Sequence, residues 1–340
     1  MEQSVLTKLL AEVNETGNYG ASEKRSREIV TEVENIIEKR ALFYFASEAG
    51  IDEGSLITDE DAFVIENLLS VPTEKKDLVL VLHSNGGLAI SAERIIGVCR
   101  SYCKKQGAGN KFLVLIPKKA KSAGTILALG AHNIYLRETA ELGPVDPQFS
   151  VIDNAGNRTF TPAYLHVDAI ENLIPTSAPL SIQRVLSFFV KNGKSLIELP
   201  ENTKNKLLEQ CNYPLYVNSK NELGLSDSII EKIAREKIAE NPNVQARDFD
   251  IFIDPHLTKS HGRLIGLKDL QESSLCREKI ICGIESMFTD SGKTAALDAL
   301  LWELYVRKRR LLNDAGNQVV KTIEGSGEFF SLNGRKIGQV

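Results

Sequence analysis

Continuous apolar runs alternate along this chain with segments whose apolar residues recur every three or four positions, and that alternation predicts its elements. ALFYFAS (41–47), DLVLVLH (77–83), FLVLIP (112–117) and NIYL (133–136) are short, unbroken and rich in branched or aromatic side chains. Such runs predict strands buried on both faces. Between them lie helical patterns: AFVIENLLSV, opened by the capping residues Thr58-Asp59-Glu60-Asp61, then LAISAERIIGVCRSYCKKQG, then KSAGTILALGA. Strands alternating with helices imply an α/β layer with parallel pairing.

The flanks read differently. The charged first forty residues predict a helix, a flexible turn at ETGNYGASEKRS and a second helix, SREIVTEVENIIEKR. Residues 160–242 carry helical patterns, APLSIQRVLSFFVKNGKSLIE and DSIIEKIAREKIAE among them, before a polar connection at NPNVQARDFD. KTAALDALLWELYVRKRRLL (293–312) is a helix by its leucine spacing, and GEFFSLNGRKIG predicts a short hairpin turning at Asn333-Gly334. The expected organisation is a helical extension over 1–40, a main α/β domain over 41–280 with a helical insertion at about 160–242, and a C-terminal helix and hairpin-like tail over 281–340.

Composition narrows the function classes. With 340 residues, 42% of them hydrophobic, the chain builds a sizeable core, and a net charge of −4 argues against a nucleic-acid partner. The basic run Arg307-Lys308-Arg309-Arg310 ends a helix, where the macrodipole favours cations, and reads as a solvated helix end. No run reaches the ~18 apolar residues of a membrane span, and the opening MEQSVLTKLLAEVNETG lacks a signal peptide's apolar centre. A cytoplasmic protein without a transmembrane segment is expected, peripheral membrane association being left open. The cysteines at 99, 103, 211, 276 and 282 form no CxxC pair and read as reduced structural thiols. Cys99 and Cys103 share a helix face without the further ligands of a zinc site, so neither metal nor organic cofactor is expected.

Two strand–turn–helix junctions carry candidate chemistry. In HSNGG the glycines at 86 and 87 allow a sharp turn and expose backbone N–H groups to a ligand oxygen. In KSAGT, Ser122 opens an apolar helix among very small residues. It is either an N-cap or a nucleophile that needs room for its substrate. If the two preceding strands pair in parallel, both turns lie at the carboxyl edge of the sheet, where α/β proteins bind ligands. His83, beside the glycines, reads as a packing residue. DSGKT (290–294) imitates the end of a phosphate-binding loop, but Met287 stands where the first glycine is required.

HSNGG, SAGTILALGA and ELGPVDPQ (141–148), in that order, resemble the serine dehydrogenase proteinase family, related to signal peptide peptidase A and to the Clp protease proteolytic subunit. The resemblance covers about residues 40–150 and, more faintly, 255–275. It implies an α/β Clp/crotonase-like fold of stacked strand–strand–helix units with added N- and C-terminal helices. It also implies Ser122 as nucleophile and an oxyanion hole formed by the N–H of Gly86 or Gly87 with that of Ala123. The chain departs from the Clp pattern at PVDP, which holds no histidine, and from the peptidase A pattern in having no lysine between Ser122 and Lys191. Matching HGRLIGLKDLQESSL to the family puts His261 beside the family's aspartate position and Asp146 near its histidine position. A rearranged Ser122–His261–Asp146 set results, with His261 as base and Asp146 orienting it. Lys191, His83 or a residue of another subunit are the other candidate bases. Lys194 reads as solvated, and Lys121 as pointing elsewhere. The plain alternatives are a turn-forming Asp146 and a loop histidine at 261.

The resulting expectation is a serine peptidase acting on peptide or protein substrates through an acyl-enzyme, without cofactors and assembled as a homo-oligomer. The rival readings are a crotonase-like acyl-CoA enzyme using the same hole without Ser122, and a catalytically inactive oligomeric scaffold.

Overall fold

The computed structural model describes residues 3–48, 53–152, 158–167, 213–254, 257, 263–314, 318–325 and 327–333. Two helices, α1 (Val5–Thr16) and α2 (Gly20–Ile37), precede β1 (Arg40–Ala46). There follow α3 (Asp59–Ser70), β2 (Leu78–His83), α4 (Ala89–Gln106), β3 (Phe112–Ile116), β4 (Lys119–Ala120), α5 (Ala123–Leu129), β5 (Asn133–Leu136) and β6 (Glu141–Leu142). All four apolar runs are thus strands, and the helices fall where the spacing puts them. The α2 helix starts at Gly20, inside the segment read as a turn.

The chain divides into two units, Met1–Val145 with Ile229–Val340, and Asp146–Ser228. The first is built on a seven-stranded sheet in the order β11-β10-β1-β2-β3-β5-β9, with β9 at Ile281–Gly283, β10 at Val319–Gly325 and β11 at Glu328–Asn333. Neighbouring strands from β1 through β9 run parallel, while β10 is antiparallel to β1 and β11 to β10. The expected α/β class and parallel-rich sheet are both present. Phe43, Phe45, Val79, Val81, Leu113 and Leu115 pack against Ile29 and Val33 of α2 and Leu297, Leu301 and Leu304 of the helix Ser291–Leu312. The alternating residues Leu78, Leu80 and Leu82 are equally buried, which is why these strands read as unbroken apolar runs. Apart from this sheet, β4 and β6 pair in parallel over two residues. Among the described residues no helix is long and apolar enough to cross a membrane.

In the second unit, β7 (Gln148–Ile152) and β8 (Arg158–Pro162) form an antiparallel hairpin that the helical reading of this region did not include. The short alternations in QFSVI and RTFTP were its signal. DSIIEKIAREKIAE lies within the helix Tyr213–Glu240, whereas APLSIQRVLSFFVKNGKSLIE lies outside the described residues.

Two further expectations are corrected. The C-terminal hairpin turns between Gly325 and Glu328, and FFSLN is its second strand, so Asn333 ends a strand instead of making the turn. The run Arg307–Arg310 is only half solvated. Arg307 is buried between Glu12 and Glu303, and Lys308 is buried against Glu324 at 2.5 Å, while Arg309 and Arg310 stay largely exposed. Carboxylates from α1 and β10 supply what the solvent was expected to supply. Asp290, read as part of the false phosphate loop, accepts the N–H groups of Gly292 and Lys293 and caps the helix.

A buried ion pair ties β10 to α3. Asp61, which has no exposed surface, accepts Lys321 Nζ at 2.8 and 2.9 Å, Tyr44 Oη at 2.9 Å and the Thr58 N–H at 2.8 Å. Lys321 Nζ also donates to Leu56 O at 2.5 Å. Removing one partner of such a pair strands a buried charge. Lys321→Met is expected to destabilise the fold by ~3–5 kcal/mol in urea denaturation, and adding Asp61→Asn to recover part of the loss. A cost below about 1 kcal/mol for the single variant would show that the pair does not hold this region together.

Candidate active site

The site is built outward from Ser84, the fully buried residue after β2. Its N–H donates to Lys119 O and its C=O accepts the Lys121 N–H, both at 3.1 Å, so β4 runs parallel beside it with Ala120 opposite. That register carries the chain two residues further, to Ser122, against Gly86. A Cβ on Gly86 would sit 2.7 Å from Ser122 Cβ, 2.8 Å from Lys121 O and 3.3 Å from Ala123 N, and the glycine itself adopts φ +116°. Only glycine fits there. On its other side the turn is stitched to Ile57, whose N–H donates to Gly86 O and whose C=O accepts the Leu88 N–H, both at 2.9 Å. A Cβ on Gly87 would fall 2.2 Å from Ile57 N.

Ser122 stands at the N-cap position of α5, but its side chain makes no capping bond. The reason is its backbone: φ +51° and ψ −121°, whereas a capping serine adopts extended angles that aim its oxygen at the first-turn amides. The simple N-cap reading is therefore corrected. Positive φ in a non-glycine residue costs ~1–3 kcal/mol and persists only where the surroundings enforce it. Here Gly124 N–H bonds to Lys121 O at 2.8 Å, and Thr125 and Ile126 N–H bond to Ser122 O at 2.8 and 3.1 Å. The residue is left half-buried at a sharp strand-to-helix turn.

The backbone donors near Ser122 divide into used and unused. Gly86 N–H bonds to Ser84 Oγ at 3.0 Å. The N–H groups of Gly87 and Ala123 donate no hydrogen bond among the described residues. Lys121 is directed to Glu141 at 3.3 Å, passing over Gly143, where a Cβ would strike Lys121 Cγ at 2.8 Å.

His83 leaves β2 beside Ser84 and is buried between Phe45 and Tyr305, with Nε2 2.9 Å from Glu48 Oε1. Burial pushes the imidazole below its ordinary value against the pull of Glu48. Burial by itself would raise the Glu48 carboxyl, but His83, Lys119 and Arg309 outweigh it and hold it below the usual carboxylate range. A recess of about 500 Å³ opens on this side, lined among others by Glu48, Lys119, Trp302, Tyr305 and Arg309; Ser122 and the glycines are not in its wall.

Of the other candidates, Asp146 is a buried residue that begins the second unit. His261, Lys191 and Lys194 lie outside the described residues. Ile265, four residues beyond His261, exchanges two hydrogen bonds with Leu142 of β6, at 2.9 and 3.0 Å. Among the described residues no group of three or more His, Cys, Asp or Glu side chains could hold a metal ion. Burial raises the thiol of Cys103 to about 11 and that of Cys99 further. The sequence reading missed Ser84, Ile57 and Thr125, whose roles come from pairing partners distant in the chain.

Residues 22–158 match the family of ClpP-like SDH-type serine proteinases, and all three ordered motifs fall within that span. Two curated relatives, the uncharacterized proteins MJ0137 and MJ1495 of Methanocaldococcus jannaschii, are each 34% identical over 99 residues. The match covers 29% of this chain and 32% of each relative, so the chain spans about a third of the length of the curated relatives it matches. Among solved structures, an alanine variant of the 1510-N membrane-bound stomatin-specific protease aligns at 18% identity and a TM-score of 0.26, over 44% of this chain and 69% of that one. A second variant, in complex with a substrate peptide, aligns at the same identity and score, over 44% and 65%.

Two outcomes follow from this geometry. Gly86→Ala is expected to slow any reaction at Ser122 at least about tenfold and to lower stability by ~1–3 kcal/mol, because the new methyl meets backbone as well as Ser122. Labelling kinetics and urea denaturation measure both. His83 gives a pH signature. With its folded pKa below the unfolded value near 6.5, the unfolded chain takes up a proton that the fold refuses, so stability is present above about pH 6.5 and lost as pH falls below it. His132 and His166 are lowered in the same way by burial and contribute in the same window. Replacing His83 by Phe should flatten the fall between about pH 7.5 and 5.5 by at most ~1.4 kcal/mol per pH unit. An unchanged slope would show that His83 does not titrate this way.

Proposed function

We propose that the chain is a serine hydrolase of the peptidase type, acting through an acyl-enzyme on Ser122. The observation that carries this reading is the Ser122 backbone at φ +51°, which withholds the hydroxyl from capping, with Ser122 Cβ set against the glycine turn. A structural serine at a helix start has no need of that conformation, whereas a nucleophile on a strained strand-to-helix turn does.

In this reading Ser122 Oγ attacks a peptide carbonyl carbon as its proton passes to a base. The charge that develops on the carbonyl oxygen is received by the N–H groups of Gly87 and Ala123, both left unused among the described residues. Gly86 serves by its lack of a side chain, since its own N–H is taken up by Ser84. One such donor is worth ~2.7–4 kcal/mol in the transition state. Collapse of the tetrahedral species expels the amine, which recovers the proton, and water then releases the acyl group from the serine. His261 is the proposed base and Asp146 its orienting carboxylate. An imidazole suits transfer near neutral pH, and the pairing of Ile265 with Leu142 draws the segment after His261 toward β6, whose partner β4 leads into Ser122. Peptide or protein substrates and self-association belong to the same reading.

A fluorophosphonate probe tests it. The wild-type protein should be labelled at a single serine and Ser122→Ala should not be labelled. Labelling that persists in the variant, or a wild type that never reacts, overturns the assignment.

A further inference from the structure

The ladder between β4 and β6 stops after two register pairs, Lys119 with Glu141 and Ala120 with Leu142. Beyond it one chain must bend into the Ser122 turn and the other runs on to Gly143, so their backbone groups need another partner. Thr125 supplies it. Its Oγ1 lies 2.9 Å from Ala120 O and 2.8 Å from Gly143 O, its one proton shared between the two carbonyls, and it accepts the Gly143 N–H at 3.1 Å. The side chain is fully buried, and the Thr125 N–H also donates to Ser122 O at 2.8 Å. A single residue therefore closes the chain on both sides of Ser122, through its side chain to Ala120 before the serine and through its backbone to the serine itself.

We propose that Thr125 is a positioning residue whose hydroxyl bolts the end of β4 to Gly143 and thereby holds Ser122 in the backbone conformation from which it reacts. The second half of this statement rests on Ser122 being the nucleophile; the bolt itself does not. A positive φ in serine relaxes unless both flanks are fixed. Ser84 fixes β4 up to Lys121, and α5 fixes the residues from Ala123 onward. The Gly124 N–H to Lys121 O bond spans the bend through the backbone, and the Thr125 hydroxyl joins the same two supports through a side chain and carries the join on to Gly143.

Thr125→Val keeps the shape and removes the hydroxyl, and Thr125→Ser keeps the hydroxyl and removes the methyl. Amide hydrogen exchange followed by mass spectrometry reads the bolt directly. Segments 118–126 and 141–145 should exchange at least about tenfold faster in Thr125→Val and near the wild-type rate in Thr125→Ser. Concentration-dependent labelling with the fluorophosphonate probe reads the coupling to Ser122. The maximal rate should fall about ten- to a hundredfold in Thr125→Val, with unchanged probe affinity and full final labelling, and stay within about threefold of wild type in Thr125→Ser. A variant that had merely partly unfolded would lose final labelling, not rate. Unchanged exchange in Thr125→Val overturns the bolt, and faster exchange with an unchanged labelling rate overturns its hold on Ser122. A wild type that never labels would sink the nucleophile reading, and the exchange measurement would still decide the bolt.

Discussion

Two hydrogen bonds, from Ser84 N–H to Lys119 O and from Lys121 N–H to Ser84 O, set the relation on which the candidate site depends. Ser84 is buried past the end of β2, where its backbone cannot turn to water, so both of its polar groups must be satisfied by protein. The two-residue strand β4 does this, and in doing so fixes a register: Ala120 opposite Ser84, and Ser122 against Gly86. A slip of one residue would reverse every side chain and bring Lys121 or Ala123 to the glycine in place of the serine. The close approach has no slack, since even a methyl group on Gly86 would overlap Ser122.

That approach needs a rigid support behind the glycine turn, and it comes from far along the chain. Ile57 stitches the turn from the opposite side, and its neighbours are held in turn: Leu56 O by Lys321, and the Thr58 N–H by Asp61. Lys321 and Asp61 form one buried pair, so a lysine on β10 reaches the glycine turn through three consecutive residues, 56 to 58. The pair carries a desolvation cost, and apolar side chains of similar volume would pack the same space. Such side chains would leave Leu56 O and the Thr58 N–H unsatisfied, and so could not position Ile57. Specificity of backbone placement, more than net stability, accounts for charges at this position.

Much of this was legible in the sequence, and what was legible has a common character. Strands buried on both faces have no polar positions to interrupt them, so β1, β2, β3 and β5 could be read directly, and the glycine pair and the serine among tiny residues marked close approach. What escaped depends on partners distant in sequence. A two-residue strand such as β4 has no periodicity to detect. The buried Arg307 and Lys308 look like a solvated helix end until Glu12 and Glu324 arrive beside them. Thr125 looks like one more small residue of KSAGT, and the alternation in RTFTP was too short to outweigh the helical patterns around it. Ser122 itself was ambiguous for a physical reason: a cap and a nucleophile both favour a small hydroxyl residue at a helix start, and the sequence does not carry the backbone angle that speaks against the cap.

The extent of the family match sharpens the point. It ends at residue 158 and contains every motif on which the resemblance rests, yet two supports of the site lie beyond it. Lys321 holds the residues that flank Ile57, and Ile265 satisfies both backbone groups of Leu142, next to the Gly143 that Thr125 binds. Without the first, Asp61 would be a buried carboxylate lacking its cation; without the second, Leu142 would lose the two hydrogen bonds it exchanges with Ile265, beside the bolt. The motifs supply the groups with the right chemistry and the bonds that bend the chain at Ser122, but the elements that brace the glycine turn and β6 from behind lie beyond the matched span. Motif and scaffold are therefore one constraint here: the chemistry is local in sequence, and the geometry that would make it work is not.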